Sequence, residues 1–297
     1  MNIKELLSPS DLIAQHCACG SQNGTILNFP DRHNLKALTF SRCSNCSSVF
    51  QSYYPTFDWI SDFYQNHYQL LYKRNTAGVK RKQELRAYDI VKAFPSLVDS
   101  NINIFEFGSS HGITLLKLAR LLNVSSYSSY EPSSSQDTSR FHRNSKSYDF
   151  IYSNHVLEHT YNPSEFINTQ FNMLADDGII LNIIPDDLMP ASSYVKNLKL
   201  YGKRIPFIYK SYKSNLLHLA HKYLFTTKCL SIIADKLSVN VVSFRVKLPN
   251  SFPEIWTIWS STPTIQHSSF LSRYIQSCPY DYNFKDTGLK LLNIPYS

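Results

Sequence analysis

Polar and apolar positions along this chain switch between two periods. Ile104–Phe107 is a short apolar run that ends at Gly108. Beyond Gly112 the apolar residues Ile113, Leu116, Ala119 and Leu122 recur at three-residue spacing, which predicts one face of a helix. Ser126–Glu131 reads as a second strand, Tyr148–Ser153 as a third and Gly178–Ile184 as a fourth. A helix is expected over Pro163–Leu174, ended near Asp176-Asp-Gly178. Thr226 stands where a cap belongs, ahead of a helix over Thr227–Leu237. Val239–Val246 and Glu254–Ser260 read as an antiparallel pair that closes the sheet. Alternating strands and helices predict an α/β fold.

Around this core the pattern changes. Residues 71–100 hold a basic helix, about Val79 to Phe94, with Pro95 near its stop. Leu85, Tyr88, Ile90 and Val91 are expected to form its apolar face, and its Lys/Arg run a solvated one. Residues 1–70 read as a small separate module. Residues 101–262 form the main domain, with a Tyr- and Lys-rich insertion over about 186–220 expected to stand over the site as a lid. Residues 263–297 read as a peripheral helix and tail.

The strand, glycine-bearing turn and helix at Ile104–Leu122 form the opening unit of a nucleotide-binding sheet. Glycine lets backbone approach a ligand closely, and the free N–H groups of a helix N-terminus favour an anion. In such sheets ligands bind outside the carboxyl ends of the strands. Glu131 ends the second strand, where a carboxylate can accept hydrogen bonds from both ribose hydroxyls; the alternative is a capping acid before Pro132. The third strand delivers Asn154, His155, Glu158 and His159 to the same face. Histidine is the natural base near neutral pH, so His155 and His159 are base candidates.

An apolar fraction of 43% over 297 residues predicts a sizeable core. No apolar run approaches the roughly 20 residues needed to span a bilayer. Met1–Asp11 lacks the apolar centre of a signal peptide, so a cytoplasmic protein is expected. The net charge of +8 suits an anionic partner. Its basic residues are scattered, which favours a small anionic or sugar-linked acceptor over nucleic acid.

Six cysteines are present, and Cys17, Cys19, Cys43 and Cys46 cluster near the N-terminus. Such pairs in a chain of this kind read as metal ligands before disulfides. Cys43-x-x-Cys46 has zinc-knuckle spacing. Upstream, Cys17 and Cys19 are one residue apart, whereas His16-x-x-Cys19 restores the usual spacing. The fourth ligand is therefore Cys17 or His16. Four protein ligands make a closed, structural zinc site. Cys229 and Cys278 are isolated and read as inert thiols.

The order of these elements, with the "HVLEH" turn after the third strand and the "DGIIL" strand after it, resembles the class I S-adenosylmethionine (SAM)-dependent methyltransferases over about residues 102–261. The stretch "CSNCSSVFQSYYPTFDWISDFYQNHY" is similar to the zinc-binding module found ahead of some of these domains, sugar C-methyltransferases included. The resemblance implies a Rossmann-like sheet, SAM as cofactor, a structural zinc and a small-molecule acceptor, with a nucleotide-linked or glycan sugar as the expected class. It places Glu106 at the methionine amino group and the loop Gly108-Ser-Ser-His-Gly112 along the cofactor. His221, in a segment similar to "H-x-x-F-(S/T)", becomes a further base candidate. Two departures stand out. Ser110 occupies a position where the family usually has glycine. Pro132–Ser147 is too short for the usual helix, strand and adenine loop, which predicts a missing edge strand. The rival expectation is a non-catalytic binding protein with a degenerate cofactor site. An RNA methyltransferase comes third and predicts RNA binding that weakens steeply with salt.

Overall fold

A computed structural model describes residues 9–27, 39–67, 76–98, 101–131, 147–186, 221–246 and 254–261. Nearly all of the expected lid, the stretch 132–146 and the C-terminal segment 263–297 lie outside the described residues. The N-terminal part holds β1 (Leu12–Ala14), β2 (Gly24–Leu27), β3 (Phe40–Cys43), β4 (Val49–Gln51), β5 (Tyr53–Pro55) and helix α1 (Phe57–Asp62), which runs on into a π-helical turn at Phe63–His67. Then follow α2 (Thr76–Ala93), β6 (Ile102–Phe107), α3 (Ile113–Leu121), β7 (Val124–Tyr130), β8 (Tyr148–Asn154), α4 (Pro163–Met173) and β9 (Leu174–Pro185). The last elements are β10 (Tyr223–Leu224), α5 (Thr227–Leu237), β11 (Asn240–Val246) and β12 (Glu254–Ser260).

The main sheet has six strands in the order β11-β12-β9-β8-β6-β7. β7, β6, β8 and β9 run parallel to their neighbours. β12 joins β9 antiparallel and β11 closes that edge as a hairpin, as the sequence predicts. A parallel sheet must be covered on both faces, and β6 alternates accordingly. Ile102 and Ile104 pack with Ile90, Phe94, Leu115 and Leu118 on one face. Phe105 and Phe107 pack with Ile167, Leu230 and Ile233 on the other. The caps fit the helix starts. Asn162 Oδ1 accepts from Glu165 N at 3.3 Å, with Pro163 in the first turn. Thr226 Oγ1 accepts from Cys229 N at 3.1 Å.

Two expected faces are corrected. In α3 the buried side chains are Thr114, Leu115 and Leu118, while Leu116 is exposed. In α2 the buried stripe is Arg86-Ala87, Ile90 and Ala93, with Phe94 just beyond, and Leu85 is 52% exposed. Helical spacing from Arg86 to Ile90 to Ala93 carries that stripe. A buried arginine hides it from a purely apolar count.

The second sheet is antiparallel, in the order β10-β4-β3-β2. Its strand β10 comes from the far side of the expected lid, so a segment of the main domain completes the N-terminal module. β1 and β5, far apart in sequence, form a small antiparallel pair of their own. Among the described residues no helix is long and apolar enough to cross a membrane.

Candidate active site and metal centre

The carboxyl ends of β6, β7 and β8 lie side by side and carry the residues singled out in the sequence. After β6 the chain turns through Gly108, Ser110 and Gly112, with φ of 70°, 52° and 64°. Gly108 N donates to Tyr130 O at 2.7 Å, which ties the loop to the end of β7. A Cβ on Gly108 would stand 2.3 Å from Val156 Cγ2, so glycine is required there by φ and by packing. Among the described residues a Cβ on Gly112 would meet nothing within 4 Å, so the turn into α3 is open on that side among them. Ser110 is exposed and left-handed in spite of its Cβ, and its N–H donates to Glu131 Oε2 at 2.6 Å. The glycine loop and Glu131 thus meet directly.

Glu106 is buried on the α3 side of β6, near the Tyr152 hydroxyl and the Leu115 backbone. Its Oε2 has no hydrogen-bond partner among the described residues. Burial, reinforced by the charge of Glu131, raises its pKa to about 8 in spite of Tyr152 and Leu115. Asn154 Oδ1 is likewise buried without a hydrogen-bond partner among the described residues. These orphaned acceptors, beside an open glycine turn, fit a ligand that brings hydrogen-bond donors and a positive charge. The amino group and ribose hydroxyls of SAM are such donors.

The histidines occupy the next strand end. His155 has a left-handed φ of 57° and its N–H donates to Ile183 O at 2.8 Å. Its ring stands between two buried carboxylates, Nδ1 at 3.4 Å from Glu158 and Nε2 at 3.4 Å from Glu254. Burial pulls its pKa down, but the hydrogen bond to Glu254 and the two carboxylate charges outweigh it and raise the net value. Arg86 completes the group with a two-pronged ion pair to Glu254, 2.8 and 2.5 Å. His159 Nδ1 lies 3.1 Å from the Tyr64 hydroxyl, and its ring meets that of His221 edge-on at 4.8 Å. All three histidine candidates and Glu158 are therefore neighbours. Tyr64, a helix-spaced aromatic expected in the core, Arg86, expected on a solvated face, and Glu254 also join this group. Spacing alone gives no signal for them, because each arrives from a remote segment.

His221 is placed by the seam between the two sheets. Lys222 N donates to Glu158 O at 2.9 Å, Gln51 N to Lys222 O at 3.0 Å, and Gln51 Nε2 to His221 O at 2.8 Å. Lys222 itself is fully buried. Its Nζ donates to Tyr161 O at 2.8 Å and stands 4.5–5.3 Å from the ring centres of Tyr161, Tyr54 and Tyr223. Burial lowers its pKa to about 7.

The four N-terminal cysteines converge. Cys17 Sγ and Cys46 Sγ are 3.4 Å apart, Cys19 Sγ and Cys43 Sγ 3.6 Å, and all four lie within 4.8 Å of one another. Tetrahedral zinc with bonds of about 2.3 Å sets sulfurs roughly 3.8 Å apart, so the donor set fits that ion. His16 is exposed and outside this group. Cys229, read as isolated, is buried against Cys17 and Cys46. Cys17 and Cys229 push the Cys46 thiol down, and Cys229 and Cys46 push Cys17 up. The knuckle is fastened to α5: Thr226 Oγ1 donates to Cys46 O at 2.7 Å, and Lys236 Nζ to Cys19 O at 2.7 Å.

The family profile described as a methyltransferase domain matches residues 79–224, just under half of the chain. That match runs from within α2 to β10 and supports a methyltransferase domain there. None of the curated proteins matches the chain. Among solved structures, the chain is similar to the Burkholderia thailandensis 1,6-didemethyltoxoflavin-N1-methyltransferase with bound 1,6-didemethyltoxoflavin and S-adenosylhomocysteine. The two are 11% identical over 76% of this chain and 96% of that one, with a TM-score of 0.48. It is also similar to the plantazolicin methyltransferase in complex with S-adenosylhomocysteine, 10% identical over 68% and 94%, TM-score 0.45. A third likeness is to a cyclopropane-fatty-acyl-phospholipid synthase-like protein from Lactobacillus casei, 12% identical over 63% and 93%, TM-score 0.43. At TM-scores below 0.5 these likenesses carry no further argument.

Proposed function

We propose that this protein is a SAM-dependent methyltransferase acting on a small molecule, with a nucleotide-linked or glycan sugar as acceptor and a structural zinc on Cys17, Cys19, Cys43 and Cys46. One observation carries the reading: the glycine loop, Glu106, Glu131 and the histidines meet at the carboxyl ends of adjacent parallel strands, within the segment that matches a methyltransferase domain.

When bound, SAM supplies a methyl group on a sulfonium that an oriented nucleophile displaces in line. The residues of this chain do the rest. The turn from Gly108 to Gly112 leaves room for the cofactor at the start of α3, and Glu131 accepts from the ribose hydroxyls. Glu106, ionised by the arrival of a cation, accepts from the methionine amino group. Asn154 Oδ1 accepts from a ligand donor at the end of β8. The two carboxylates of Glu158 and Glu254 favour the protonated form of His155, which suits it to hold the loop and an anionic acceptor rather than to act as a base. His159 and His221 face each other nearby and supply the group that takes up the acceptor's proton; such a base contributes roughly 10²–10⁴-fold. The net charge of +8 favours a phosphate-bearing acceptor.

The test is transfer of a labelled methyl group from SAM to a panel of nucleotide-linked and free sugars by the zinc-replete chain. Transfer that is lost in His159→Ala or His221→Ala supports the reading. SAM binding with transfer only to a non-sugar small molecule overturns the sugar assignment and leaves the class intact. A second reading, a non-catalytic binding protein, is favoured by one contact: Ser110 N–H already donates to one Glu131 oxygen, at the carboxylate expected to hold the ribose. It predicts no binding of SAM or S-adenosylhomocysteine.

A further inference from the structure

Glu158, His159 and His221 stand apart from the four-cysteine group and form a cluster of a different chemical kind. One ligand atom from each lies within 4.8 Å of the other two. Glu158 Oε1 is 3.8 Å from His159 Nε2. For comparison, bonds of about 2.1 Å place the ligand atoms of one ion roughly 3 to 4.2 Å apart, so modest side-chain rotations bring the three onto a common centre. The backbone holds them in register. Glu158 and His159 share the 3-10 turn Leu157–His159, and Lys222 N donates to Glu158 O at 2.9 Å, which fixes the chain next to His221 against that turn. Gln51 clamps the carbonyl of His221 from the other side at 2.8 Å.

We propose that Glu158, His159 and His221 form a second metal centre, an open site for a divalent transition-metal ion that takes an oxygen-bearing acceptor. Its place on the acceptor side rests on the methyltransferase reading above; the metal site itself does not. Two imidazoles and one carboxylate suit first-row ions such as Mn2+ and Fe2+, whereas four thiolates select zinc. Three protein ligands leave coordination positions free, as catalytic sites do and closed structural sites do not. Tyr64 supplies the outer contact. With His159 ligating through Nε2, its Nδ1–H donates to the Tyr64 hydroxyl at 3.1 Å, which fixes tautomer and ring orientation. His155 Nδ1 stands 3.4 Å from Glu158 Oε1, at ion-pair distance from the carboxylate.

The site also divides the work of the histidines. With the ion bound, the two imidazoles serve as ligands, and this role replaces the free-imidazole base of the metal-free site: the ion acidifies the acceptor hydroxyl. The methyl C–S bond breaks as the C–O bond forms, the sulfur keeps the electron pair and loses its charge, and the hydroxyl proton passes to solvent. No co-reactant beyond SAM is required. An acceptor that presents a hydroxyl, with or without a neighbouring second oxygen, is the class this chemistry takes.

The experiment is a Mn2+ titration of the full chain carrying one equivalent of zinc, read by loss of the free-ion electron paramagnetic resonance signal, with zinc content and SAM affinity measured on the same samples. One tightly bound Mn2+ per chain, with zinc retained, is the expected result. His159→Gln and His221→Gln should each weaken Mn2+ binding by at least about tenfold and leave zinc in place. Tyr64→Phe should weaken it roughly 10-fold. His159, with its ring partly exposed, is the substitution the fold tolerates best. A chain that binds Mn2+ through these residues but not SAM would support this centre and sink the methyltransferase reading. A chain that binds SAM and retains zinc but takes up no Mn2+ overturns the centre, as does Mn2+ binding unchanged in both histidine variants.

Discussion

Glu106→Gln should stabilise the unliganded protein and weaken its hold on SAM, with both effects set by pH. The carboxyl sits in the folded chain with a pKa near 8, against an ordinary value of 4.5, because burial disfavours the charge. Between those values the folded state holds a proton that the unfolded chain has lost. Stability then falls by about 1.4 kcal/mol per pH unit as pH rises from about 4.5 to about 8. Glutamine carries no such proton. The variant's stability lead should therefore be small near pH 4.5 and reach a few kcal/mol at pH 8. SAM reverses the sign, because its amino group favours the ionised carboxylate. Below the α-amino pKa of about 8, affinity should rise nearly tenfold per pH unit, from about pH 6 to about pH 7.5. Calorimetric titration at several pH values reads the second effect, and urea unfolding at the same pH values the first. The reasoning is refuted if SAM affinity of the parent protein is flat over this range, or if Glu106→Gln is no more stable than the parent at pH 8.

Other expectations concern the frame around the site. Gly108→Ala adds a Cβ that meets Val156 Cγ2 at 2.3 Å and forces alanine to φ 70°, so it should cost about 2–3 kcal/mol by urea unfolding. A Val156→Ala background should recover only the steric part; full recovery would show that the left-handed φ costs nothing. Arg86→Ala leaves the buried Glu254 carboxylate with only His155 and the Trp256 indole N–H, and should cost about 3 kcal/mol. Burial pushes Glu254 up, but the charge of Arg86, together with the hydrogen bond and charge of His155, outweighs it and lowers the pKa to about 2. The stabilisation is therefore complete above about pH 4.5 and lost as pH falls towards 2, and the variant, which keeps only His155, should show less of that acid sensitivity. Cys43→Ser should abolish stoichiometric zinc, measured by elemental mass spectrometry, and lower the melting temperature, since β10 and α5 are fastened to the knuckle. Full zinc retention would contradict the assignment.

The alternation of the main sheet was legible because both faces of a parallel sheet are buried and each β-strand is bounded by turn residues. The six strands and the helices between them fall within a few residues of their expected places. The helix faces were less legible. α2 buries Arg86 and exposes Leu85, since an ion pair to Glu254, remote in sequence, satisfies the guanidinium. The cysteine cluster was legible from spacing, apart from the choice between His16 and Cys17, which depends on a local turn. Cys229 carried no signal, because its neighbours are assembled only when α5 docks on the knuckle. The same holds for Tyr64 against His159. Two short segments far apart in the chain meet at the β4–β10 seam, and no local pattern encodes that meeting.

The central claim is that the glycine loop and Glu131 hold SAM. Calorimetric titration of the zinc-replete protein and of Glu131→Ala with SAM and with S-adenosylhomocysteine tests it most directly. The account predicts saturable binding of both ligands to the parent protein, in the micromolar range, and at least a tenfold weaker interaction in the variant. Absence of binding by the parent protein, or affinity unchanged in Glu131→Ala, would contradict it.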